Sequence, residues 1–242
     1  MKATAFLSLL AVAAITAACS GNTPASTDSN ESAKVSATDC DVTLSNIHFT
    51  KCLNGADTLA SEKDGIITFR ATQGQDFFCD PSGSEPNLKA PILLTQVDNT
   101  KPFTLQAKIT PQFTQSGTYN AGVLYLYEND AHWQKFCFEQ DERGNHRVVT
   151  VRTIGTSDDN NSEVITGQDH VYYKISSDTK RVGFYFSRDG KTWTMVRLYK
   201  NDYPAQLLVG ISNQCPKDEK STSQFAELKL EHKAISDFRL GE

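Results

Sequence analysis

Trp133-Gln134-Lys135-Phe136-Cys137-Phe138-Glu139 is the stretch whose reading decides the fold. Phe136 and Phe138 alternate with Lys135, Cys137 and Glu139, the period of a strand whose two faces meet different surroundings. The aromatic pair is assigned to a core, so Lys135, Cys137 and Glu139 share the opposite face. Glu142-Arg143-Gly144-Asn145 follows as a turn, because Gly and Asn tolerate the positive φ of a tight hairpin. In the return strand, Arg147 to Thr153, the same logic puts Val149 and Val151 in the core and Thr150 and Arg152 outward.

The pattern repeats along the chain. Ile66 to Thr72, Phe103 to Pro111, Gly122 to Glu128, Val171 to Ser176, Val182 to Ser187, Thr192 to Leu198, Gln206 to Asn213 and Phe225 to Phe238 also read as strands. Glu128-Asn129-Asp130 and Arg188-Asp189-Gly190 supply further turns, and Val42 to Phe49 is strand-like. In the strand before Cys215, Leu207, Val209 and Ile211 point inward while Gly210, Ser212 and Gln214 point out. No long helical period and no alternation of strands with helices is present. The expectation is an all-β chain, a two-sheet antiparallel β-sandwich of jelly-roll type.

The first nineteen residues read as an export signal. Lys2 supplies the positive end, and Phe6 to Ile15 form an apolar run too short to span a bilayer as a helix. It closes on Thr16-Ala17-Ala18-Cys19, which resembles the lipobox of bacterial lipoproteins. That resemblance implies lipidation of Cys19 and palmitate-type acylation that holds the chain to a lipid bilayer. Residues 20–38, rich in Ser, Thr, Asn, Asp and Ala, have little to bury and read as a disordered tether. Residues 39–242 then form one sandwich domain. Ser20 after the lipidated Cys implies a place in the bacterial cell envelope, at the outer membrane. A net charge of -5 without a basic patch argues against nucleic acid as a partner.

Four segments carry a wider resemblance: Asp76-Phe77-Phe78-Cys79-Asp80-Pro81, the Trp133–Glu139 stretch, Ser187-Arg188-Asp189-Gly190-Lys191-Thr192-Trp193, and Gly210-Ile211-Ser212-Asn213-Gln214-Cys215-Pro216. In this order they resemble the "regulation of enolase" proteins, bacterial concanavalin A-like lectin/glucanase domains. The resemblance implies a concanavalin A-like jelly roll, with Lys135 and Glu139 on the family's polar pair. Trp193 is expected to anchor the core.

The function that follows is a membrane-anchored extracytoplasmic binding module for a carbohydrate or other polyhydroxylated ligand on the concave sheet. Lys135, Glu139 and Arg152 form its centre, flanked by Asp76, Phe78, Asp80 and Ser212. The alternatives are a glycoside hydrolase or lyase with Glu139 as general acid or base, and an envelope structural or interaction protein. Hydrolysis needs two carboxylates about 5–10 Å apart, and Asp76 or Asp80 is the only partner to propose for Glu139. The five histidines (His48, His132, His146, His170 and His232) are scattered, with no nucleophile motif beside them.

Of the six cysteines, Cys40 and Cys52 flank the Val42–Phe49 run, and a bridge between them would contribute about 3 kcal/mol. Cys79 and Cys215 each lie where a strand enters a turn and are expected to form a second bridge, leaving Cys137 free. The cysteine and histidine spacings suit no zinc site, so no metal or other cofactor is expected. Asp158-Asp159-Asn160-Asn161 is the one oxygen-rich stretch that could take Ca²⁺, and a polar turn is the simpler reading.

Overall fold

A computed structural model describes Met1, Lys34 and residues 36–242. The signal segment, Cys19 and nearly all of the tether lie outside the described residues. The strands are β1 (Thr38–Leu44), β2 (Ile47–Leu53), β3 (Ala60–Lys63), β4 (Ile66–Thr72), β5 (Phe77–Phe78) and β6 (Asn87–Leu88). They continue as β7 (Ile92–Asp98), β8 (Phe103–Pro111), β9 (Ala121–Asn129), β10 (His132–Gln140), β11 (His146–Ile154) and β12 (Thr156–Val164). The last are β13 (Val171–Ser177), β14 (Arg181–Ser187), β15 (Thr194–Lys200), β16 (Gln206–Gln214) and β17 (Lys220–Glu231).

All pairings are antiparallel. One sheet of eight strands runs β1-β2-β7-β16-β9-β10-β11-β12, and one of seven runs β15-β14-β13-β8-β17-β4-β3. The chain is thus an all-β, two-sheet antiparallel sandwich of jelly-roll type. Its inner core fills the space between the sheets: Leu124, Phe136, Phe138, Val209 and Ile211 face Ile109, Tyr173, Phe184 and Phe225. Phe136 stacks on Tyr173 with ring centroids 3.7 Å apart and meets Phe184 edge-on at 5.3 Å. The Tyr173 hydroxyl crosses the core to donate to the Cys137 carbonyl at 2.6 Å. That bond satisfies a phenol that burial would otherwise penalise.

The other face of the eight-stranded sheet is also largely dry. The segment after β4 crosses it: Gln75 pairs with Cys215 beyond the end of β16, and the Cys79 backbone exchanges hydrogen bonds with Ser157 on β12. On the way, Phe77 is fully buried against Trp133, with centroids 5.2 Å apart, and against Tyr125 and Tyr127. The crossing segment is tied down on its return, because Lys89 and Ala90 both donate to the Asp76 carbonyl. Asn54 Nδ2 also donates to the carbonyls of Leu88 and Ala90. A second apolar cluster results, including Phe77, Tyr125, Trp133, Cys137, Val149 and Val151. Gly210 permits the close approach of β7 to β16, since a Cβ there would sit 1.8 Å from the Leu93 carbonyl oxygen.

Several elements depart from the sequence reading. Val42 to Phe49 is not one strand but a hairpin, turned at Ser45 and Asn46, both with positive φ. β7 has no counterpart in that reading because Ile92, Leu93 and Leu94 are all buried and show no alternation. The final strand ends at Glu231, and its register shifts between Ala226 and Lys229. Asp158-Asp159-Asn160-Asn161 belongs to the edge strand β12 and is not a turn. Trp193 is half-buried beneath Lys174, whose Nζ sits 3.7 Å from its ring centroid.

The inner stacking yields a direct test. Phe136→Ala removes a fully buried ring shared by both sheets, and such truncations cost about 3–5 kcal/mol. For a domain of this size that lowers Tm by roughly 6–20 °C. Thermal unfolding followed by circular dichroism measures it, and a shift of only a degree or two would contradict the packing described.

Candidate functional site

Where the crossing segment stands off the sheet, it leaves a cavity of about 420 Å³. Asp76, Phe78 and Asp80 come from the crossing segment, and Lys135 and Glu139 from β10. Val149 and Val151 line it from β11, Asp159 and Asn161 from β12, and Gln214 from the end of β16. Asn87, Tyr119, Glu142, Pro216 and Lys217 complete the rim. The β10 residues are there because of the alternation in Trp133–Glu139: Phe136 and Phe138 take the inner core, so Lys135 and Glu139 emerge opposite.

One hydrogen-bonded chain joins the polar groups. Lys135 Nζ donates to Asp76 Oδ1 at 2.8 Å and to Gln214 Oε1 at 3.0 Å. The Gln214 amide in turn donates to Glu139 Oε2 at 2.9 Å and to the Tyr119 carbonyl at 2.8 Å. Lys135, Glu139 and Gln214 are all buried, at 2%, 7% and 1% exposure. The Phe78 ring lies at the edge of this chain, with its centroid 5.9 Å from Lys135 Nζ. Tyr119 holds its place at φ +66°, a conformation that a bulky side chain adopts only under constraint.

Burial sets the protonation states. It pushes the Glu139 carboxyl up to about 8, with Asp76 and Asp159 adding to the rise and Lys135 opposing it. Burial alone would depress the Lys135 ammonium, but the neighbouring charges, Asp76 foremost, hold it above the ordinary lysine range. Glu139 is therefore largely protonated at neutral pH beside a lysine that stays charged. Burial likewise lifts Asp159 on the edge strand, with Lys135 opposing. The Cys137 thiol, fully buried beside the cavity, is pushed well above its usual value and is neutral.

Residues 53–233 match the family described as "Protein of unknown function (DUF1349)". The chain belongs to the DUF1349 family. Among curated proteins none matches it. Among solved structures it is similar to a functionally unknown protein from Saccharomyces cerevisiae, at 21% identity and a TM-score of 0.67. That match covers 76% of this chain and 96% of the other. It is also similar to the Bacteroides ovatus xyloglucan PUL GH43B, at 11% identity and a TM-score of 0.57, over 84% of this chain and 40% of that one. A third similarity is to the GH43 protein BlXynB from Bacillus licheniformis, at 14% identity and a TM-score of 0.54, over 76% of this chain and 36% of that one. At these identities the likeness is one of fold.

Within this DUF1349 domain, five of the seven residues expected at the ligand site, Lys135, Glu139, Asp76, Phe78 and Asp80, line one cavity. Arg152 does not. Lys135 is paired in register with Val151, and Gln134 with Arg152, so Arg152 emerges on the opposite side of the sheet. There its guanidinium pairs with Asp202 and lies 4.4 Å from the Tyr199 ring centroid. The assignment of Val149 and Val151 to the inner core is inverted for the same reason: they belong to the outer cluster, and Val148 takes the inner one. Ser212 emerges on the outer face but is fully buried, donating to the Pro91 carbonyl at 2.6 Å, and does not line the cavity.

The sequence reading missed Gln214 as a site residue although its outward direction was legible, two positions on from Ser212. Tyr119, Asp159 and Asn161 carried no signal as site residues. Their roles depend on a loop conformation and on an edge strand taken for a turn.

All five described cysteines are free thiols, so neither expected bridge is formed. Cys40 and Cys52 face the same core, and the neighbouring Cys52 thiol adds to the burial that pushes Cys40 up to about 12. The register irregularity between Asp39 and Val42 nevertheless pairs Cys52 with Thr38, and the two thiols stay unbridged. Cys40 Sγ donates instead to the Phe49 carbonyl at 3.4 Å. Cys215 and Cys79 mark opposite ends of the crossing, with β9, β10 and β11 between them. The oxygen-rich Asp158–Asn161 stretch does not converge either: strand alternation sends Asp158 towards Arg197, 3.5 Å away, and Asp159 to the cavity. Among the described residues no group of three or more His, Cys, Asp or Glu is placed to hold a metal ion.

The raised Glu139 pKa has a stability signature. The folded value, about 8, lies above the ordinary 4.5, so the carboxyl's contribution is full below about pH 4.5 and is lost as pH rises towards 8. Glu139→Gln keeps the contact with Gln214 and cannot ionise. The variant is expected to gain on the wild type by up to about 1.4 kcal/mol per pH unit across that window, then to hold a constant lead. Tm profiles of the two proteins against pH measure the difference. A gap that does not change with pH would mean that Glu139 ionises as it does in water.

Proposed function

We propose that this DUF1349 domain is an extracytoplasmic binding module for a carbohydrate or other polyhydroxylated ligand, which it holds in the cavity between the crossing segment and β10–β12. The observation that carries the reading is the Asp76–Lys135–Gln214–Glu139 chain beside the exposed part of the Phe78 ring. Fixed donors and acceptors next to an aromatic surface suit a ligand that offers hydroxyls on one side and C–H groups on the other. The four segments that resemble the "regulation of enolase" proteins all fall within residues 53–233. The solved GH43 chains that share the fold give it a glycan context by analogy alone. Anchorage through an acylated Cys19 at the outer membrane belongs to the same proposal and rests on the sequence.

One observation favours a second reading, a glycoside hydrolase with Glu139 as general acid: its carboxyl is buried and pushed up to about 8. Against it, Asp76 is already paired with Lys135 at 2.8 Å, and a nucleophile or base must be free to engage substrate or water.

A glycan array probed with the full chain tests the first reading. Binding is expected, and Phe78→Ala should weaken it by at least about tenfold, the loss of a stacking contact, while Tm stays near that of the wild type. Release of reducing sugar from the bound glycan, abolished in Glu139→Gln, would replace the first reading with the second.

A further inference from the structure

The charges around the cavity do not balance. Lys135 is its one buried cation, and both of its contacts are to protein groups, Asp76 Oδ1 and Gln214 Oε1. Lys217 lies exposed on the rim. The same lining carries Asp80, Glu142 and Asp159, none of which makes an ion pair with a described residue. Glu139 accepts from Gln214 through Oε2 alone, and Oε1 has no hydrogen bond to a described residue. Beside Lys135 on the same face, the wholly buried Tyr125 has a hydroxyl without a partner, within reach of the charges on Lys135, Asp76 and Glu139.

We propose that the ligand of this cavity is a glycan without anionic groups, built of neutral or amino sugars, and that glycans bearing carboxylates, sulfates or phosphates are excluded. The inference rests on the glycan-binding reading above and narrows it. An anionic group entering the cavity finds its only buried cation already neutralised by Asp76. It also meets three carboxylates across a space partly shielded from solvent, where like charges repel more strongly than in water. A neutral hydroxyl meets no such penalty. It can accept from the Glu139 carboxyl while that is protonated, and it can bond to Asn87, Asn161 or the Asp159 carboxylate on the lining. An amino sugar has the added attraction of the unmatched carboxylates.

Isothermal titration of the full chain against three oligosaccharides of equal length decides the matter: a xylo-oligosaccharide, a glucosamine oligomer and a galacturonate oligomer, at mildly acidic pH and low salt. The expected result is binding of at least one of the first two, with the galacturonate weaker by about a hundredfold or more. The Glu142→Gln variant changes one exposed residue on the rim, to which no contact with the neutral ligand is assigned, and should fold normally. It should narrow that gap by about threefold while leaving affinity for the neutral oligomer within about twofold. Galacturonate binding as tight as the neutral sugar's, and lost in Phe78→Ala, would overturn this inference and leave the glycan reading standing. Failure of all three oligomers to bind would remove the glycan reading, and this inference with it.

Discussion

Burying a charged lysine on a sheet face is costly unless an opposite charge goes with it, and the pairing of Lys135 with Asp76 offsets that cost. The two residues come from distant parts of the sequence, β10 and the segment after β4, and meet only because that segment is laid across the eight-stranded sheet. Phe77, the next residue, anchors the crossing in the Trp133 and Tyr125 cluster, and Phe78 after it turns its ring to the cavity. Three consecutive residues thus do three separate things: ion pairing, apolar burial and the exposed wall of the cavity. Moving the crossing by one residue would reverse which face each presents. The network is specific because its parts are mutually exclusive: Gln214 can donate to Glu139 only with its carbonyl turned to Lys135.

The fold was legible because most strands alternate clearly. Nine of them, β4 and β8 among them, begin and end within about two residues of where alternation places them. What failed was the assumption that only one face of each sheet is dry. Once the crossing segment covers the outer face, apolar residues at alternate positions no longer identify the inner side. Val149 and Val151 look like inner residues and are outer ones, and Arg152 is carried to the wrong face with them. β12 was hidden for a different reason. Its polar sequence, Thr156 to Val164, has low strand propensity and gains its place from the ladder with β11. The site was legible where it depends on β10 and on the Asp76–Asp80 segment. It was illegible where it depends on Tyr119, whose strained backbone is imposed by its neighbours.

The same geometry bears on the choice between holding a glycan and cleaving it. A buried carboxyl with a high pKa is often read as a general acid, yet burial and neighbouring carboxylates produce the same shift in a group that only binds, here against the opposing pull of Lys135 and the Gln214 amide. What separates the two is the state of the second carboxylate. Asp76 is held by Lys135, and Asp80 accepts from the Ser82 backbone in its own turn at 2.7 Å. Asp159 sits on the edge strand, level with Lys135 and four residues along the ladder from Glu139. Asp76 is therefore engaged in holding the crossing segment, while Asp80, Glu142 and Asp159 on the lining have no ion pair with a described residue. In the binding role proposed for it, such an arrangement would orient a ligand through groups whose positions the crossing segment already fixes.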